Sequence, residues 1–130
     1  MFAKLAAASA LLAALTLPAT ALAADLSGEI VTAGTHADLA AQASDLAAVH
    51  MHLHHTLNCL VGPKGDGFDP ANLNPCAGSG NGAIPDSTDA AKIQQLQTAV
   101  TTAEAGIAAT DIATAKADAH TVSDQLKAAR

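Results

Sequence analysis

Between Val49 and Cys59 the chain reads Val-His-Met-His-Leu-His-His-Thr-Leu-Asn-Cys. Four imidazoles, a thioether and a thiol fall within three turns of a helix. Neutral imidazole is the commonest protein metal ligand near pH 7. Thioether and thiolate add a preference for softer ions such as Cu(I). At about 100° per residue the segment divides into two faces. His50 and His54, at i, i+4, form one chelating pair. His52 and His55, at i, i+3, form the other, with Met51 beside them. Cys59 lies one turn beyond His55.

The first pair sits on an apolar seam, which makes it the stronger candidate. An unpaired polar group buried on such a seam costs roughly 1–3 kcal/mol, so it must find a partner or a ligand. His120, beside the apolar position Ala119 further along the chain, is the expected third ligand. His36 lies several turns earlier and reads as a solvated residue near a helix start. The expected ligand set is therefore His50 and His54, helped by His52, His55, Met51 or His120. Copper is favoured, with zinc and nickel as alternatives, since Cu(II) heads the divalent affinity order. The Cys-x-x-Cys-His signal for covalent haem is missing. A non-covalent haem held by His50 or His54 with His120 is the weaker reading, because the chain offers so few aromatic side chains to line a pocket. In composition and compartment the histidine- and methionine-bearing helix resembles small periplasmic copper-handling proteins. That resemblance assigns no residue a role.

The elements that would carry these ligands follow from periodicity. Leu39, Ala43, Leu46, His50, Leu53, Leu57 and Leu60 recur at alternating spacings of four and three, the period of a helix. The pattern predicts one helix over 35–61, capped by Thr35 with Asp38 three residues on and stopped by Gly62-Pro63. Residues 24–34 read as a flexible leader. Ile93, Leu96, Val100, Ala103 and Ile107 predict a helix near 87–107, capped by Asp86 or Ser87. Ile112, Ala115, Ala119, Val122 and Leu126 predict another near 110–129, capped by Thr110 or Asp111. The fold class is thus all-α, a small antiparallel bundle of about three helices in a single domain over 35–130. A further helix or a second copy of the chain would complete a four-helix arrangement.

Residues 62–86 are dominated by Gly, Pro, Asn and Asp, which supply turns and positive φ and exclude regular structure. So long a loop is unusual in a small domain. A Cys59–Cys76 disulfide would tether it to the end of the first helix. It would also remove Cys59 from any ligand set, since a bridged sulfur is no thiolate. Asp66, Asp69, Asn72 and Asn74 carry oxygen ligands, but their spacing departs from the EF-hand loop and reads as turn chemistry.

Lys4, the Ala/Leu run from Leu5 to Leu17, Pro18 and Ala21-Leu22-Ala23 have the order of a secretory signal cleaved after Ala23. The apolar run is shorter than the ~20 residues that span a bilayer. The expected compartment is the periplasm or the exterior, where two cysteines pair. The processed chain of about 107 residues is one domain's worth. The whole chain carries a net charge of −6, which argues against nucleic acid and anionic lipid and suits cations. After processing, Phe68 is the last aromatic residue, and an alanine-rich core buries little area. No Gly-x-Ser-x-Gly, His-Glu-x-x-His or phosphate-loop motif is present, so a non-enzymatic role in metal sequestration or delivery is expected. The alternative is a structural or interaction protein with pH-sensitive core histidines. A homodimer or a periplasmic protein is the remaining class of partner.

Overall fold

The computed structural model describes residues 23–130. The signal peptide expected at 1–23 therefore lies outside the described residues, Ala23 excepted. Among the described residues there are five helices and no strand: α1 Leu26–Gln42, α2 Leu46–Val61, the single turn α3 Ala83–Asp86, α4 Ala90–Ala108 and α5 Ile112–Ala128.

Each long helix begins at an aspartate. Asp25, Asp45, Asp89 and Asp111 each accept hydrogen bonds from the backbone N–H groups of the first turn. A carboxylate there satisfies a donor that the helix leaves unpaired and faces the positive end of the helix dipole. Asp25 in this role starts α1 ten residues before Thr35. The expected flexible leader at 24–34 is instead almost wholly helix. Asp45 starts α2, so the single helix expected over 35–61 is two. The chain leaves α1 at Ala43 with extended ψ of 149° and re-enters a helix at Leu46. The apolar spacing runs through this corner unbroken because Ala43 and Leu46 both pack against the core on either side of it.

The four long helices form a ring. α1 packs on α2 and α5, and α4 packs on α2 and α5. Every neighbouring pair is antiparallel. His50 meets Ala109 and Leu53 meets Gly106 across α2 and α4. Asp38 meets Ser123 and Ala43 meets Lys116 across α1 and α5. Thr102 meets Gln125, and Lys92 meets Ala129, across α4 and α5. The helical class stands, with four long helices in place of about three. The helix missing from the expected count is α1.

The core is built largely of alanine. Ala33, Ala37, Ala40, Ala99, Ala103, Ala115 and Ala119 are fully buried beside Ile30, Val49, Leu53, Leu60, Leu96, Val122 and Leu126. Gly106 lies directly against Leu53: a Cβ there would fall 2.7 Å from Leu53 Cδ1, so the leucine would have to shift.

Between α2 and α4 the chain is held by local bonds and by the Cys59–Cys76 disulfide. Asn58 is fully buried and acts as the hub. Its amide nitrogen lies 2.9–3.2 Å from the carbonyls of Asp69, Asn72 and Leu73, and its oxygen accepts the Asp69 N–H. Asp69 and Asn74 accept backbone N–H groups two residues on, the turn chemistry expected of them. The loop closes where Gly62 and Gly82 cross. Both have positive φ, and a Cβ at Gly62 would fall 1.5 Å from the Asn81 carbonyl oxygen. Only glycine fits either position.

Candidate metal centre

The corner at Ala43–Asp45 is what builds the site. In an antiparallel hairpin, residues equidistant from the corner face one another. His36 and His52 each lie eight residues from Ser44. α2 then adds His55 one turn beyond His52. Thr56, fully buried, pins the register here. Its hydroxyl lies 3.1 Å from both the Ala33 carbonyl of α1 and the His52 carbonyl of its own helix. At the corner itself Lys116 of α5 donates to the Ala43 carbonyl at 3.0 Å, which satisfies an open end of α1.

His36, His52 and His55 each offer one ring nitrogen, and the three nitrogens lie within 4.8 Å of one another. His36 Nδ1 and His52 Nδ1 are 3.3 Å apart. The His55 ring stands edge-on to both others, with centroids at 5.0 and 5.6 Å. His55 is nearly buried, and its Nδ1 has no hydrogen-bond partner. Two nitrogens on a tetrahedral zinc with bonds of 2.0–2.1 Å are about 3.4 Å apart. The His36–His52 pair already has that spacing, and His55 offers a third nitrogen within 4.8 Å of both.

The electrostatics disfavour protonation of the group. Burial, then the neighbouring His55 and His52, hold the His36 proton affinity below the ordinary imidazole value. Burial, then His52 and His54, do the same for His55. Protonating the group would set like charges face to face in a half-dry pocket. A divalent ion instead meets three lone pairs, and the three imidazoles leave at least one coordination position open. Among the described residues no carboxylate joins the group.

The sequence-predicted ligands fall in three places. His52 and His55 are in the cluster. His50 turns its Nε2 to the Ala109 carbonyl at 3.0 Å, a contact that holds α2 to the end of α4. His54 Nδ1 lies 3.4 Å from Asp69 Oδ2, an electrostatic contact without hydrogen-bond alignment. The seam pair is thus engaged separately by α4 and by the loop. His120 is exposed on α5. Met51 is exposed on α2, one turn before His55. Cys59 and Cys76 are bridged, as expected, and neither is a free thiol. The residue that sequence reasoning missed is His36. The signal that could have found it is Ser44-Asp45, a capping pair inside the apolar repeat, about which His36 and His52 are symmetric.

Comparison with protein-family models, with curated proteins and with solved structures returned no match.

Proposed function

We propose that this chain is an exported transition-metal-binding protein whose ion is held by His36, His52 and His55. It acts in sequestration or delivery and not in turnover. The observation that carries the reading is the convergence of three imidazole nitrogens from two helices within 4.8 Å, with no carboxylate among them. An all-nitrogen set suits Cu(II), Zn(II) and Ni(II). The thioether argument for Cu(I) weakens, because Met51 points to solvent and both sulfurs of the cysteines are in a disulfide. Copper remains the favoured metal, now as Cu(II). The disulfide suits an oxidising compartment, and no helix among the described residues is long and apolar enough to cross a membrane.

The test is calorimetric titration of tag-free protein with Cu(II) and Zn(II). Replacing His36, His52 or His55 singly with alanine should weaken binding at least about tenfold, the scale on which loss of supporting groups already acts. The double variant His50→Ala with His54→Ala should change affinity less than about threefold. If that double variant loses binding while His36→Ala keeps it, the site lies on the seam instead.

A further inference from the structure

Glu29 stands in the first turn of α1 and is fully buried. Its Oε1 accepts the Gly82 N–H at 2.9 Å. Its Oε2 is buried and has no hydrogen-bond partner. The carboxyl thus fills the joint between the start of α1 and the Gly80–Asp86 segment, which carries α3. Its titratable neighbours are Asp25 on its own helix and Asp86 on α3. A Cβ at Gly80 would collide with Asp86 Oδ2 and Glu29 Oε1 together, so the two carboxylates crowd one glycine. Toward α2 the neighbour is the Cys59–Cys76 bridge, which does not titrate: Cys76 Sγ lies 3.8 Å from the Glu29 carbonyl oxygen. Among the described residues no basic side chain acts on Glu29.

The two protonation states are unequal in this setting. An unpaired buried charge costs far more than an unpaired buried hydroxyl. Burial is the largest influence and raises the proton affinity. The Gly82 N–H favours the charged form, and the charges of Asp86 and Asp25 act with burial against it. The carboxyl therefore keeps its proton above the ordinary carboxylate range. Such an acid adds stability below the ordinary carboxyl value, and that contribution is lost as pH rises through the higher folded value. Once Glu29 is ionised, Oε2 is solvated only if water enters the joint.

We infer that Glu29 is a pH-operated latch: as the neutral acid it holds the start of α1 against the Gly80–Asp86 segment, and its ionisation opens that joint to water. The opening is local. Asp86 keeps its own grip on Asn81, accepting the backbone N–H at 2.7 Å and the side-chain amide at 2.9 Å, so the segment moves as a unit. The disulfide anchors the chain ahead of it. The histidine group lies about two turns further along α1 and takes no part.

The experiment is amide hydrogen exchange of metal-free, disulfide-intact protein, native and Glu29→Gln, at pH 4.5 and 7.5. Glutamine keeps an acceptor for Gly82 and cannot ionise. At pH 7.5 the Gly82 and Asp86 amides should exchange at least about tenfold faster in the native protein than in the variant, and at pH 4.5 the two proteins should agree within about threefold. The Asp69 amide, held by Asn58, should be alike in both at either pH. Comparison at equal pH removes the histidines, which both proteins share. Equal exchange of Gly82 and Asp86 at pH 7.5 would overturn the inference, as would a difference of the same size at pH 4.5 or one that spreads to Asp69. If Glu29→Gln fails to fold, carbon-13 titration of the native protein decides. Glu29 Cδ must then titrate above the ordinary carboxyl range with the Gly82 amide shift following it, and a midpoint inside that range overturns the latch.

Discussion

Three histidines packed ring against ring set a pH dependence that can be read without any metal. His36 and His55 bind a proton less readily in the folded protein than in the unfolded chain, chiefly because of burial. The unfolded chain therefore takes up more protons as pH falls through about 6.5, the ordinary imidazole value, and folding stability drops with it. The loss levels off only once pH passes below the depressed folded values. Metal-free protein should thus unfold at a lower urea concentration at pH 5.5 than at pH 7.5. Variants with His36 and His55 both replaced by alanine should show a flatter dependence. Equal dependence in native and variant protein would mean that these two rings are not the source. The other histidines lie elsewhere: His50 against the Ala109 carbonyl, His54 near Asp69, His120 in solvent.

At the level of the helix, the corner between α1 and α2 decides whether the site exists. Asp45 accepts the Ala48 N–H at 2.9 Å and starts a new helix inside an apolar spacing that otherwise reads as one. Replacing a capping aspartate with alanine costs about 1 kcal/mol, or about 4–8 °C of Tm in a domain of this size. Asp45→Ala and Asp111→Ala remove the same kind of cap, so both should lower Tm by a similar amount. Only Asp45 sits at the corner that sets His36 opposite His52. Asp45→Ala should therefore also weaken copper binding at least about threefold, while Asp111→Ala leaves it unchanged. Parallel melting and titration of the two variants checks this. The same corner marks what was legible in the sequence. The helical class, α4, α5, the disulfide and the pairing of His52 with His55 all follow from spacing and residue type. The break does not, because Ala43 and Leu46 keep a spacing of three on either side of it and both face the core. Reading through it left α1 uncounted and put His36 at the far end of a rod instead of across a hairpin. Period alone set His50 and His54 on the seam and turned His55 away from it, whereas His55 is the buried histidine of α2 and His50 and His54 are half-buried. Their partners, a helix-end carbonyl and a loop carboxylate, come from distant segments that period says nothing about.

Among the described residues, four antiparallel helices close a ring over a core in which alanine takes many of the places of larger side chains. Each buried alanine removes far less apolar area from water than a leucine, and burial contributes roughly 25 cal/mol per Å². Small domains are already marginal on that account. Constraints on the chain therefore carry a larger share of stability than in a leucine-packed bundle. The Cys59–Cys76 bridge is the strongest of them. It closes a loop with a sequence separation of 17, worth about 3 kcal/mol in the chain-entropy model. It also holds the segment in which Asn58 and the Gly62–Gly82 crossing are satisfied only when the loop is in place. Reduction, or replacement of both cysteines by serine, should lower Tm by at least about 12 °C, several times the effect of losing one helix cap. Melting of oxidised and reduced protein, followed by far-ultraviolet circular dichroism, measures it. A shift no larger than that of Asp45→Ala would show that the alanine core alone holds the bundle and that the bridge merely tethers a loop.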